Sequence, residues 1–280
     1  MRLRGTRRSG NVEFRRGGRG GAIGGLGIGG VLLVLAIGYF AGIDVTPILN
    51  GGGSASGSAT QPAEMSPAEE KAADFSLRVL ATTEDVWGQL MPAQAGQDYR
   101  PPTLVLFSGV TQSPCGGASG ATGPFYCPGD RKAYLDTQFF ATLEQRLGAG
   151  GDFAAAYVIA HEVAHHVQNE LGILGQVNEL RQRASETDGN ALTVRLELQA
   201  DCLSGVWASQ VEGLLEPGDI EEALNAARMI GDDHLQRQSG RVPQPHTFTH
   251  GTSEQRARWF STGYETGQIA ACDTFAARSL

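Results

Sequence analysis

Apolar residues crowd the chain between Asp152 and Gly172. Ala154, Ala155, Ala156, Val158, Ile159, Ala160, Val163, Ala164 and Val167 make a mostly apolar cylinder, which predicts a helix buried on most of its sides. Gly172 is its expected stop. A second long helix is predicted from Asp188 to Leu215, on Leu192, Val194, Leu196, Leu198, Leu203, Val206, Trp207 and Val211. Ahead of both, Ser66-Pro67-Ala68-Glu69 reads as a capping box with proline at the first helical position. That helix runs through Phe75, Val79 and Leu80, and a second helical stretch after Thr82-Thr83 carries Val86, Trp87 and Leu90. Pro101-Pro102 breaks the chain. Thr103–Phe107 and Lys132–Asp136 read as short strands, separated by a glycine-rich loop over 108–123. The strands are expected to form a small sheet beside the buried helix; an edge strand there either pairs with an extended peptide or is part of a plain core hairpin.

Asp136-Thr137 starts a helix through Phe139, Phe140, Leu143 and Leu147. Residues 173–186 are polar, in helix or loop. Pro217-Gly218-Asp219 caps a helix from Ile220 to Ile230, with Glu221 and Glu222 where the helix dipole favours acids. Residues 231–250 read as a long connection, with Asp219, Asp232 and Asp233 as caps and exposed acids. Thr252-Ser253-Glu254 opens a last helix through Ala257, Trp259, Phe260 and Tyr264.

The first part of the chain has another pattern. No charged residue occurs from Gly21 to Ile43, and at helical rise this run spans about 30 Å of hydrocarbon. It predicts one transmembrane helix over 21–43; cleavage at Ala41-Gly42 is the alternative. Residues 44–65 read as a flexible Gly/Ser linker. Glycine pairs spaced by four in the apolar run fit either a weak self-association face or a plain anchor. Seven arginines against one glutamate give residues 1–20 a charge of +6, and leave −14 of the net −8 to the rest. A basic segment ahead of a membrane span predicts a cytoplasmic N-terminus and an extracytoplasmic bulk, that is, a single-pass protein of the cell envelope. The acidity of the remainder opposes nucleic acid as a partner.

All four cysteines, Cys115, Cys127, Cys202 and Cys272, follow the apolar run. An even number outside the cytoplasm suggests disulfides. Three connectivities are possible. Cys115 and Cys127 bracket a glycine-rich loop and are favoured, which leaves Cys202 for Cys272.

The chemistry sits in the apolar cylinder, at His161-Glu162-Val163-Ala164-His165. Residues four apart on a helix share a face, so two imidazoles can grip one zinc ion, with Glu162 beside them as general base. The bland reading is a solvated polar face. It fits the apolar neighbours badly, because buried imidazoles and carboxylates need partners. On the second long helix Glu197 and Asp201 are also four apart. A catalytic zinc takes three protein ligands and keeps one place open. Glu197 is the candidate third ligand, and Asp201 the acceptor for the spare N–H of His161. The bland reading here is an acidic face paired with Arg195.

HExxH followed on a later helix by ExxxD resembles the gluzincin metalloproteases. The Glu197-x-x-Ala200-Asp201 form is similar to that of the membrane heat-shock and CAAX-prenyl zinc proteases. More closely, residues 123–136, 161–168, 197–207, 218–236 and 249–263 resemble the bacterial putative neutral zinc metallopeptidase family, whose members carry one N-terminal anchor. The resemblance covers most of 66–272. It implies zinc, peptide hydrolysis and an extracytoplasmic catalytic domain.

In the related membrane proteases a His-Pro…Arg element lies near the metal. Here His250 and Arg256 stand in the corresponding place, with Gly251 for the proline. They are candidates for stabilising the oxyanion, against the plainer reading of a helix cap with a surface ion pair. Tyr126 is expected in the core, His166 in a structural role, and His234 and His246 at the surface.

The expected protein is α+β and mostly helical: a zincin-like metalloprotease domain over 66–280 with a small β-sheet, preceded by one transmembrane helix. The expected activity is zinc-dependent endopeptidase action on a peptide or protein substrate. The rival is a membrane-tethered, zinc-containing module that binds peptides without turning them over.

Overall fold

The computed structural model describes residues 1–16, 65–119, 123–141, 143 and 150–280. Its centre is two long helices lying against each other: α2 (Asp152–Glu170) and α4 (Glu186–Gln210), joined through the short α3 (Ile173–Arg181). Gly172 takes a left-handed φ of 76° between α2 and α3, and so ends the metal-motif helix where the sequence predicts. Helices α5 (Asp219–Met229) and α7 (Ser253–Thr266) pack on this pair, with α6 (Asp232–Gln238) between them in the chain.

The α4–α7 crossing is set by two glycines. A Cβ on Gly205 would lie 2.1 Å from the Phe260 carbonyl oxygen, and one on Gly263 would lie 1.8 Å from that of Cys202. Any side chain at either place would push the backbones apart. This close crossing carries Arg256 of α7 to Asp201 of α4.

Helix α1 (Pro67–Leu90) opens on the predicted capping box, with Ser66 and Glu69 bonding each other's backbone N–H groups. It is one helix, where the sequence suggested two stretches. The Thr82 and Thr83 hydroxyls donate to the Val79 and Leu80 carbonyls one turn back, at 2.7 Å each. Two β-branched residues are thereby held inside the helix.

A mixed four-stranded sheet lies beside α2. Its order is β1 (Val12–Arg16), β2 (Thr103–Ser108), β6 (Lys132–Asp136), β5 (Phe125–Cys127). β1, β2 and β6 run parallel, and β5 runs antiparallel to β6 at the edge. Leu104 and Leu106 of β2 face the main core, while Val105 and Phe107 join Cys127 and Tyr134 on the other side. Burial on both faces explains the unbroken apolar run. The loop expected over 108–123 is in part a hairpin, β3 (Val110–Ser113) with β4 (Gly116–Ser119). Both favoured disulfides are present, Cys115–Cys127 and Cys202–Cys272.

The largest departure from the sequence reading is at the start of the chain. Residues 1–16 are not a separate basic segment but part of this fold. β1 pairs with β2 along its full length, Met1 and Leu3 are buried, and Ser9 and Asn11 bond Glu84. Three arginines of this segment pair with acids: Arg7 with Glu84 and Asp85, Arg8 with Asp74, and Arg15 with Glu13. The Met1 amine lies among Asp152, Glu216 and Asp219. Burial opposes its charge, but these carboxylates prevail and raise its pKa to about 10.

The basic head therefore complements the acidic body of the same chain. Its use as a topology signal loses force, because positive charge here has an intramolecular reason. The predicted transmembrane helix (21–43), its glycine pairs and all of the linker but Met65 lie outside the described residues. Among the described residues no helix is long and apolar enough to cross a membrane.

Candidate metal centre

α2 presents His161 and His165 on the face it turns to α4, and α4 presents Glu197 to both. His161 Nε2 is 3.1 Å from Glu197 Oε2, and His165 Nε2 is 3.5 Å from Glu197 Oε1. One ligand atom from each of the three lies within 4.8 Å of the others. Bonds of zinc length in a tetrahedron place donor atoms about 3.3 Å apart. Each imidazole already has a Glu197 oxygen near that spacing, and two imidazoles with one carboxylate are a donor set that suits zinc. Burial opposes charge on Glu197, yet the imidazoles outweigh it and hold its carboxyl well below the ordinary range.

Asp201, one turn beyond Glu197, stands behind His161. Its Oδ1 is 2.9 Å from His161 Nδ1, in a contact bent away from an ideal hydrogen-bond line. Asp201 is fully buried. It accepts from Arg256 Nε and Nη2, both at 2.9 Å, and from the Tyr157 hydroxyl at 2.5 Å. Burial disfavours the imidazolium of His161, but Asp201 and Glu197 overcome this and raise its pKa to about 10.

Arg256 therefore does not line the metal position. It is 2% exposed and its guanidinium is spent on Asp201 and Tyr157. The expectation that it stabilises an oxyanion is corrected: it fixes the acid behind His161.

His161, His165 and Glu197 thus converge as a candidate site for one metal ion. The family described as putative neutral zinc metallopeptidase matches residues 1–275. The chain belongs to that family. Its relatives include the uncharacterized protein YpfJ of Escherichia coli (strain K12), 49% identical over 98% of this chain and 99% of that one. Another is the uncharacterized protein Rv2575 of Mycobacterium tuberculosis (strain ATCC 25618 / H37Rv), 45% identical over 72% of this chain and 71% of that one. No solved structure matches. The zinc metallopeptidase match takes in residues 1–16 as well as the metal motif.

His250 is arranged differently from Arg256. Its Nδ1 is 3.0 Å from Thr249 Oγ1 and 3.3 Å from Asp232 Oδ1, so these contacts hold the ring by one nitrogen and do not engage Nε2. Asp232 is buried, contrary to its expected place as an exposed acid. Its Oδ2 accepts from the backbone N–H of Thr249, His250 and Gly251. Burial opposes charge on His250, but Asp232 and then Glu197 raise its pKa. Gly251 has φ 92°, a conformation closed to proline. This loop cannot be a His-Pro element, and the glycine is why three successive N–H groups converge on one carboxylate.

Glu162 is half-buried and borders a cavity of about 10 Å³ with Tyr134 of β6 and with Pro124, the residue before edge strand β5. Burial pushes its carboxyl up, against the pull of His165 and His161. His166 faces elsewhere, bonded to the Tyr126 hydroxyl and the Arg100 carbonyl, so both keep the structural roles expected. Arg195 donates to carbonyls of the C-terminal segment rather than to Glu197. The acidic group Asp152, Asp219 and Glu222 is accounted for by donors: the Met1 amine reaches the first two, and Glu222 takes the Phe153 N–H.

Sequence reasoning missed Tyr157, Gln168, Gln199 and Asp232. Tyr157 is one turn before His161, and Gln168 three residues after His165, so helical spacing could have flagged those two. Asp232 carries no pattern of its own; only the folded chain brings it to His250.

Proposed function

We propose that this chain is a zinc-dependent endopeptidase in which His161, His165 and Glu197 hold the metal. The observation that carries the reading is the spacing of their donor atoms, 3.1 and 3.5 Å from Glu197 to the two imidazoles. Zinc held there supplies Lewis acidity to the scissile carbonyl and to the attacking water. Glu162 takes a proton from that water and passes it to the leaving amine; its raised pKa suits both halves of the task. His250, whose protonated form Asp232 favours, donates from Nε2 to the carbonyl oxygen as negative charge develops on it. Tyr157, Asp201 and Arg256 hold His161 in line. The β5 edge beside Glu162 is the place for an extended peptide.

Zinc content by elemental analysis, with hydrolysis of an unfolded protein such as casein, tests this. Wild type should hold one zinc and cut; Glu162→Gln should keep the zinc and lose about 10²–10⁴-fold in rate. Equal hydrolysis by Glu162→Gln removes it as base. Zinc without any cleavage by wild type favours the peptide-binding module.

We also propose that the whole described fold lies in an oxidising, extracytoplasmic compartment. The two disulfides support this. β1 pairs with β2 in one sheet, so the two strands lie on the same side of any bilayer. A single crossing would tear β1 from β2. Gly10 and Val242 are exposed and face open space or solvent. An impermeant maleimide on spheroplasts should label Gly10→Cys and Val242→Cys alike. Labelling of Val242→Cys alone would restore the single-pass arrangement.

A further inference from the structure

The second imidazole has a support that differs from the first. His165 Nδ1 is 2.9 Å from Gln168 Oε1. Gln168 Nε2 donates to the Leu196 carbonyl at 2.7 Å and to Gln199 Oε1 at 3.0 Å. Gln199 Nε2 donates in turn to the Cys272 carbonyl at 3.0 Å. Gln168 and Gln199 are both buried. A carbonyl oxygen can only accept. The Cys272 and Leu196 carbonyls therefore dictate which end of each amide faces which way. A flipped Gln168 would set oxygen against oxygen at Leu196 and lose two bonds at a buried position.

With both amides locked, only an oxygen is offered to His165 Nδ1. That nitrogen must carry the hydrogen, and Nε2 keeps its lone pair. The chain of amides starts at a carbonyl next to Glu197 and ends at a carbonyl whose residue is tied by disulfide to Cys202, on the same helix as Gln199.

We propose that Gln168 and Gln199 form an amide relay that fixes the hydrogen of His165 on Nδ1 and aims Nε2 at the metal position. Gln168 is a positioning residue for His165, as Asp201 is for His161, and Gln199 positions Gln168. The inference rests on the zinc reading above.

Two measurements test it on the full chain: zinc affinity by competition with a chelator, and the His165 Nδ1–H resonance of the zinc-loaded protein by ¹⁵N-edited NMR. Wild type should show that hydrogen slow to exchange with water. Gln168→Met keeps the bulk and removes the acceptor. It should weaken zinc about 10–100-fold and broaden the Nδ1–H signal into exchange. Val167→Ala, a packing change next door, should lower the melting temperature and leave the signal sharp. Gln168→Met with wild-type zinc affinity and an unchanged resonance overturns the relay. Should Gln168→Met fail to fold, Gln199→Met decides: a several-fold loss with the same broadening supports the relay, and no change in either ends it. A wild-type chain that takes up no zinc defeats the metal reading and the relay together, whereas normal zinc uptake with no effect of Gln168→Met defeats the relay alone.

Discussion

His161 and His165 lie one turn apart on one helix, yet the molecule holds them in opposite ways. Behind His161 stands a charged assembly, Asp201 clasped by Arg256 and Tyr157 with no exposure to solvent. Behind His165 stand two neutral amides that end on backbone carbonyls. A carboxylate raises the basicity of the imidazole it faces, and an amide oxygen only orients it. The charged support is also brittle. Removing one buried partner strands the other as an uncompensated charge, while a missing neutral partner leaves a smaller debt.

Substitutions should separate the two supports by size of effect. Asp201→Ala leaves the Arg256 guanidinium buried and alone, and should cost about 3–5 kcal/mol in urea unfolding of the zinc-free protein, besides weakening zinc. A loss below about 1 kcal/mol would mean that the buried pair is not what holds this region. Gly263→Ala attacks the same support indirectly. Its methyl meets the Cys202 carbonyl, so α7 must move and take Arg256 with it. About 1–3 kcal/mol of destabilisation is expected, with His161 and not His165 shifted in NMR spectra.

Gln168→Met should cost about 1–3 kcal/mol by the same unfolding measurement, below Asp201→Ala. A larger loss than from Asp201→Ala would reverse the comparison. The gentlest change concerns His250, a third imidazole backed by a buried acid. Asp232 raises the His250 pKa against burial, so protonated His250 persists as pH rises to that raised value. In Asp232→Asn this support is lost and the pKa falls. The alkaline limb of kcat/KM should move to lower pH; a limb that stays in place would take His250 out of the reaction as proton donor.

Much of this arrangement is visible in the sequence, and the reason is helical spacing. His161 with His165, and Glu197 with Asp201, are pairs whose geometry the chain itself enforces, so each could be placed on one face before any coordinates. The capping boxes at Ser66 and Thr252 are equally local. What stayed hidden depends on partners distant in the chain. Arg256 has the look of a cleft cation, and only the glycine-to-glycine crossing of α4 and α7 turns it to Asp201. Asp232 looks like an exposed acid until the left-handed Gly251 folds three N–H groups onto it. The arginines at the start resemble a membrane-topology signal because charge counting cannot see Glu84, Asp74 or Asp85, which they meet only after β1 joins the sheet. Parallel pairing of β1 with β2 bridges distant parts of the chain, and no local pattern announces it.

The most direct test of the central claim is the zinc K-edge absorption spectrum of the loaded wild-type protein. Two helices are proposed to bring two imidazoles and one carboxylate to a single ion and to leave a place for water. The account predicts four nitrogen or oxygen neighbours at about 2.0–2.1 Å, two of them with the outer-shell scattering of imidazole, and the loss of one imidazole signature in His165→Ala. Sulfur at about 2.3 Å, or a spectrum that His165→Ala and Glu197→Ala leave unchanged, would place the zinc elsewhere and contradict it.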